Sequence, residues 1–489
     1  MKYGKILIKI TLVLALSMSH TTALASTTYP SYTYDEWGGS VSAPDSYLPG
    51  MVKNGFELGC GPLKEPKDFF MDGNGRLYIS DTGNNRIIIT DEQLNLLYEI
   101  SKVEINGIEE PLTSPEGLFI AKDGTLYIAQ ATKNRVLILK GNKVIQIIEK
   151  PESSLIPADF VFSPIKVGVD IYGRIYVLSK GCYSGLLKFS AKGIFLDYFG
   201  ANKVEITPEM LLNYTWKSIL SEEQRAAMTS ILPIEYSNID CSDDGFVYTT
   251  TVGTKTPVDQ VKKLNPLGNN TYYSRGKEKV NFGDLEISYI KAQPLNSSFV
   301  DLKVDNDGFI FGLDLTKGRI FERDQEGNLL AVFGGLGNQK GTFLTPAAVE
   351  YYNGNVYVLD SMKNNITIFE PTDYELMIRS ATILYSEGRY QESAAIWEKV
   401  LQRNINSTLA YVGQGKALSQ SGDYSTALEA FRSGADRFDY SRSFMKYRLV
   451  VIREHAPKVL VGFILLSILI KGTKIFRKYK KGGKKLEKN

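Results

Sequence analysis

Short runs in which apolar and polar positions alternate recur six times between residues 75 and 357, and each is entered through a glycine. The copies are Gly75-Arg76-Leu77-Tyr78, Gly124-Thr125-Leu126-Tyr127, Gly173-Arg174-Ile175-Tyr176, Gly245-Phe246-Val247-Tyr248, Gly308-Phe309-Ile310-Phe311 and Gly354-Asn355-Val356-Tyr357. A polarity period of two predicts strands, and a turn-plus-strand unit every 46 to 72 residues predicts a radial array of small sheets. The sixth unit reads as three strands, at Ala347–Tyr351, Asn355–Asp360 and Ile366–Phe369, before a helical period begins near Tyr374. Residues 26–58 form a lead-in, and Met51 to Leu58 are predicted to supply the missing outer strand so that no open edge remains. The expected array therefore spans residues 59–371.

Between the third and fourth units the spacing leaves an insertion at about 206–232. Thr207-Pro208-Glu209 opens it like a capped helix. Tyr214 and Trp216 make it a candidate binding surface, since long decorations on such arrays often carry function; packing on the side of the array is the alternative.

From Tyr374 apolar residues recur at helical spacing. Gly388-Arg389-Tyr390 and Gly422-Asp423-Tyr424 lie 34 residues apart, as do Trp397 and Phe431. Two helical repeats are predicted over 374–440, with a capping helix over 441–456. Val459 to Ile470 is twelve residues without charge, and extension over Pro457–Phe476 reaches the roughly 20 residues that a membrane helix needs. Pro457 suits the first turn of that helix. Nine Lys or Arg and one Glu follow Ile470, the bias expected on the cytoplasmic side, with a basic tail over 477–489. At the other end, Lys2, Lys5 and Lys9, an apolar stretch and Ala23-Leu24-Ala25 predict a signal peptide over 1–25.

Charge changes the picture only at the ends. The total is +3, and subtracting the signal and the tail leaves about −8 on the exported body. No basic stripe with interleaved aromatics occurs, so nucleic acid is excluded as a partner. Of two histidines, His20 lies in the signal and His455 beside the membrane run. The array holds none, which removes a Ser-His-Asp relay or a His-ligated zinc. The cysteines Cys60, Cys182 and Cys241 fit no metal spacing; Cys182 and Cys241 fall in adjacent units and are spaced to bridge.

The first unit is the most detailed. Pro66-Lys67-Asp68-Phe69-Phe70-Met71-Asp72-Gly73 leads to Leu77-Tyr78-Ile79-Ser80-Asp81 and then Thr82-Gly83-Asn84-Asn85-Arg86. Over 66–89 the chain resembles the NHL-repeat family, whose blades carry a proline-led inner strand, a D-G-x-[IL]-Y-[IV]-x-D strand and a T-G-N-N-R turn. Asp314 and Arg319 keep the separation of Asp81 and Arg86, and Gln130 precedes Arg135 likewise. Asp81–Arg86 and Asp314–Arg319 are read as structural pairs that tie a turn by a charge-assisted hydrogen bond. The helical segment resembles two tetratricopeptide (TPR) repeats, with Gly388 and Gly422 at tight packing positions. Taken whole, the layout looks like a family of exported NHL/TPR proteins of Gram-positive bacteria with a C-terminal membrane helix.

The resemblance implies a mainly β fold: a six-bladed NHL-type propeller, a TPR-like segment and one transmembrane helix. It implies a single-pass protein of the cell membrane, with propeller and helical repeats outside and the C-terminus in the cytoplasm. The expected role is binding or scaffolding through a propeller loop face, without catalytic residues or cofactor. Its ligand would be a glycan, a cell-wall fragment or a protein, in a setting that includes carbohydrate uptake. One alternative is a lactonase or hydrolase resembling gluconolactonase-type propellers, which hold calcium or another divalent cation on channel oxygens; the candidates here are Asp68, Glu116, Asp240 and Asp301. Another is a peptide-binding adaptor working through the helical repeats.

Overall fold

The six repeat glycines all adopt a left-handed backbone, with φ between +74° and +88°. A side chain rarely tolerates that region, so the turn selects glycine. Each turn joins the first two strands of an antiparallel sheet. The computed structural model describes residues 27–201, 235–252, 260–272, 281–285, 288–290 and 293–486. The insertion with Tyr214 and Trp216, and the signal segment, lie outside the described residues.

Six sheets are arranged as the blades of a propeller. Their innermost strands are Asp68–Met71, Leu118–Ile120, Pro164–Val169, Tyr236–Cys241, Phe299–Val304 and Pro346–Tyr352. Each of these strands touches the next, and the sixth touches the first, so the ring is closed. Blades one, three and five have four strands in sequence order. Blade two carries an extra hairpin, Lys102–Ile105 and Ile108–Pro111, against its outer edge. Blade four shows three strands among the described residues.

The sixth blade is completed from the other end of the array. Its third strand, Asn365–Pro371, pairs antiparallel with Tyr47–Asn54, through pairs such as Thr367 with Val52 and Pro371 with Tyr47. The strand thus begins four residues before Met51, and Gly55–Leu58 form a helical turn capped by Asn54 and Glu57. Six apolar clusters fill the gaps between neighbouring blades. Both faces of every second strand are therefore covered, and Leu77–Asp81 and Ile310–Asp314 are buried at every position. The cluster between blades five and six is the largest and runs on into the helices, with Tyr47, Phe333, Phe369, Ile378 and Trp397 in one continuous core.

The helices are α1 (Asp373–Ser386), α2 (Tyr390–Arg403), α3 (Thr408–Ser421), α4 (Tyr424–Ser433) and α5 (Arg437–Leu486). They stack as two hairpins. Gly388 and Gly422 do not pack between helices; they take φ of +80° and +94° in the turns that end α1 and α3. Close packing falls instead to Gly413 and Gly415, where a Cβ would lie 2.4 Å from Trp397 and 2.8 Å from Phe431. The capping and membrane segments form one helix, and Pro457 lies inside it rather than at a first turn. Proline forfeits one backbone bond there, and the helix formers on either side carry the helix through. At 1.5 Å per residue α5 is about 75 Å long. Its apolar window has mean hydropathy 2.1 and is wholly exposed, so this helix is long and apolar enough to cross a membrane.

Phe369 is fully buried and packs its ring against Tyr29, Phe333 and Phe343. Phe369→Ala should cost about 3–5 kcal/mol, read as a fall in denaturation midpoint. A change under about 1 kcal/mol would mean that the closing blade is not carrying the ring.

Candidate functional site

The innermost strands bring charged side chains from five blades to the hub. Of the four carboxylates offered by the sequence, Asp68, Asp240 and Asp301 meet there, joined by Glu350, which sequence reasoning missed. Glu116 stands apart on the more exposed side, paired with Lys67 at 2.8 Å. Two lysines lie among the acids. The Lys166 ammonium is 2.6 Å from Asp68 and 3.5 Å from Asp301. The Lys303 ammonium is 3.2 Å from Glu350 and 3.8 Å from Asp240, and 4.7 Å from the centre of the Phe70 ring.

One oxygen each of Asp68, Asp240 and Asp301 is engaged by backbone, whereas among the described residues Glu350 meets only the Lys303 ammonium. Asp68 Oδ2 accepts from Leu118 N at 2.8 Å, Asp240 Oδ2 from Val304 N at 2.8 Å, and Asp301 Oδ2 from Val349 N at 2.7 Å. Each acceptor lies one blade before its donor, so the acids staple neighbouring inner strands around the ring. Asn238 adds a hydrogen bond to Asp301. This set does not fit a divalent cation. Two ammonium groups already hold the carboxylates, and among the described residues no group of three or more His, Cys, Asp or Glu is placed to ligate a metal.

No protein-family model matches the chain, and no curated protein matches it. Among solved structures the chain is similar to virginiamycin B lyase from Staphylococcus aureus, at 9% identity over 67% of this chain and 100% of that one, with TM-score 0.41. It is similar to a putative gluconolactonase at 12% identity, over 67% and 94% of the two chains, with TM-score 0.39. It is also similar to the calcium-binding protein regucalcin from Agrobacterium tumefaciens, at 11% identity over 63% and 90%, with TM-score 0.38. These likenesses assign no residue role here. The chain is a six-bladed β-propeller followed by a helical region with one long apolar helix.

A second set of polar groups closes five of the blades among the described residues. The residue ending the second strand reaches back about one strand pair to the segment entering the same blade. Asp81 accepts from Lys64 N at 2.7 Å, Ser179 from Ser163 N at 2.8 Å, Asp314 from Ser298 N at 2.7 Å, and Asp360 from Leu344 N at 2.6 Å. Gln130 does the same as a donor, to Thr113 O at 2.6 Å. The repeated partner is thus a backbone group 16 or 17 residues upstream, a spacing visible in the sequence only once the register is known.

The arginine five residues later is a secondary contact. Arg86 Nε lies 2.8 Å from Asp81, and Arg135 Nε lies 2.9 Å from Gln130. The expected Asp314–Arg319 pair requires correction. Arg319 turns to Asp284 and the Tyr32 hydroxyl, while Asp314 accepts from the backbone of Ser298, Thr316 and Lys317. The reason is competition. Asp284 is offered to Arg319, Lys317, Tyr32 and Tyr34 together, in a place Asp314 cannot reach while it holds three N–H groups. All three cysteines are free thiols, so Cys182 and Cys241 do not bridge.

The helices join the propeller through one buried arginine. Arg379 of α1 lies 2.6 Å from Glu322, bonds to Asp305, and stacks 4.1 Å from the centre of the Phe309 ring and 4.8 Å from that of Tyr351. Glu375, one turn earlier, is fully buried, and burial together with the neighbouring Glu322 charge pushes its carboxyl well above the usual range.

Arg379→Ala strands Glu322 and Asp305 without their cation. It should cost about 3–5 kcal/mol. It should also admit proteases at residues 371–373, checked by limited proteolysis of the full chain.

At the hub, burial raises Asp301 to about 7, with Lys166 opposing and Asp68 reinforcing. Burial likewise raises Glu350 to about 8, with Lys303 opposing and the Asp240 and Asp301 charges reinforcing. The folded chain holds these protons where the unfolded chain, at 3.8 and 4.5, has released them. Stability from both groups is full below those unfolded values and is lost as pH rises through 7 and 8. The melting temperature should therefore fall from about pH 4 to about pH 8 and change little above that. Lys303→Met should carry that fall on to higher pH; a fall that ends at the same pH would deny the lysine its role.

Proposed function

We propose that this chain is a membrane-tethered binding or scaffold protein whose propeller and helical hairpins stand outside the cytoplasmic membrane. The signal-like N-terminus, the apolar stretch of α5 and the nine basic residues after Ile470 support that orientation. The NHL-like blade motif and the TPR-like 34-residue repeat support an exported repeat protein in which α5 serves as the tether. The ligand would be a glycan, a cell-wall fragment or a protein partner, and Tyr214 and Trp216 are the residues proposed to take part.

The observation that carries the reading is the filling of the hub by Lys166 and Lys303. A propeller hydrolase built on a channel cation needs open carboxylate oxygens, and here those oxygens hold lysines and backbone N–H groups. The adaptor reading is favoured by a cleft between blade five and the helices.

With the full chain in lipid nanodiscs, millimolar calcium should leave the melting temperature unmoved and sugar lactones should not be turned over. A calcium-dependent rise together with turnover would replace binding by catalysis. Trp216→Ala should weaken retention on cell-wall glycan or on a captured partner by about fivefold, the size expected of one aromatic anchor, without a change in melting temperature.

A further inference from the structure

The part of α5 before Pro457 carries apolar side chains that a membrane span does not account for. Met445, Leu449 and Ile452 are 62%, 60% and 53% exposed, and Phe438 is half-exposed. Met445, Leu449, Ile452 and Ala456 follow one another at intervals of four, three and four residues, and the same alternation continues to Ile470. Such spacing lays one apolar stripe along the helix. From Met445 to Ile470 the stripe covers about 39 Å at 1.5 Å per residue, against a hydrocarbon core of about 30 Å. Its upper end therefore stands clear of an upright span.

Positive charge borders the stripe on both sides. At about 100° per residue Arg442, Lys446 and Arg453 fall along one flank, and Arg437 and Arg448 along the other. The Arg442 guanidinium lies 5.7 Å from the centre of the Phe438 ring, beside the stripe. The acids of this part, Asp439 and Glu454, are turned away from the stripe. Asp439 is buried, and Glu454 pairs with Lys458 at 3.1 Å, the only ion pair of α5 among the described residues. That far face is already occupied: Ser443 shares a hydrogen bond of 2.8 Å with Ser419 of α3, and α4 packs alongside. The helical hairpins thus stand on one side of α5, and the stripe looks the other way.

We propose that residues 438–456 of α5 dock stripe-first on the headgroup layer of an anionic phospholipid bilayer. This rests on the reading of α5 as a membrane tether and names the lipid class that it meets. Apolar side chains sink below the phosphates while arginine and lysine on either flank reach up to them, the arrangement of a helix lying in the interface. Pro457 sits where this part meets the span. It has no N–H to offer the Arg453 carbonyl, so a bend there breaks no backbone bond. Lowered in this way, the hairpins and the propeller ride above the bilayer, because they hold the face away from the stripe. The four-three alternation also suits a coiled coil, and charge excludes a second copy as the partner. Two copies anchored in one membrane run parallel, and the seam would set Arg448 and Arg453 of the two copies against each other.

The test uses the full chain in vesicles of phosphatidylcholine, with and without about one third phosphatidylglycerol, whose acyl chains are brominated close to the headgroup. Leu449→Trp puts an indole in the stripe, and Val450→Trp puts one on another face at the same height. Above the wild-type background, fluorescence of Leu449→Trp should be quenched at least about twofold in the anionic vesicles, and that of Val450→Trp should not change. Added salt should relieve the quenching. So should Arg448→Gln with Arg453→Gln, since two basic side chains are expected to contribute about 25-fold in affinity for such a surface. All four positions are exposed, so the variants should fold. Equal quenching of the two tryptophans would overturn the proposal, as would equal quenching of Leu449→Trp in both lipid mixtures. Disulfide cross-linking between Leu449→Cys copies would give the stripe to a second copy and overturn it too. If the chain floats with the vesicles and Leu449→Trp stays unquenched, the stripe is left to a protein partner and the lipid assignment alone falls. If the chain floats with neither vesicle, the tether reading falls with it.

Discussion

The pairing of Tyr47–Asn54 with Asn365–Pro371 is the constraint on which the rest depends. A radial array of sheets has two ends, and each end is an unpaired edge unless the chain joins them. Here the join is antiparallel hydrogen bonding between segments more than 300 residues apart in the chain. It is reinforced by Tyr47, which lies buried against Phe333 and Phe311. Once the ring is shut, six inner strands face one another at fixed spacing. The hub and the helix joint both inherit their geometry from that closure.

At the hub, closure forces carboxylates from different blades into one buried volume. Unpaired, that arrangement would be costly. Lys166 and Lys303 and three backbone N–H groups offset the cost, and burial raises Asp301 and Glu350 above the usual carboxylate range. The same set of groups stitches blade to blade, so the hub fastens neighbouring inner strands.

The helical region is bound to this disk and not merely linked to it. Arg379 enters blade five between aromatic faces and two acids, and the apolar core between blades five and six runs on into α1, α2 and α3.

Much of this molecule was legible from local pattern. Six glycine-led alternating runs, the helical period after Tyr374 and the uncharged stretch near the C-terminus determine blades, helices and an apolar rod, because each depends on residues close in sequence. The paired role of Asp81 and Arg86 could be read from a single turn for the same reason. What the sequence could not say is which distant groups meet. Glu350 joins the hub, Arg319 leaves Asp314 for Asp284, and Arg379 seats in blade five only after closure brings segments tens to hundreds of residues apart together. Gly413 and Gly415, not Gly388 and Gly422, pack the helices, because contact distances between elements exist only in the folded chain. Local periodicity set the parts of this protein; ring closure, acting at long range, decided which charges are buried together and where the molecule is open.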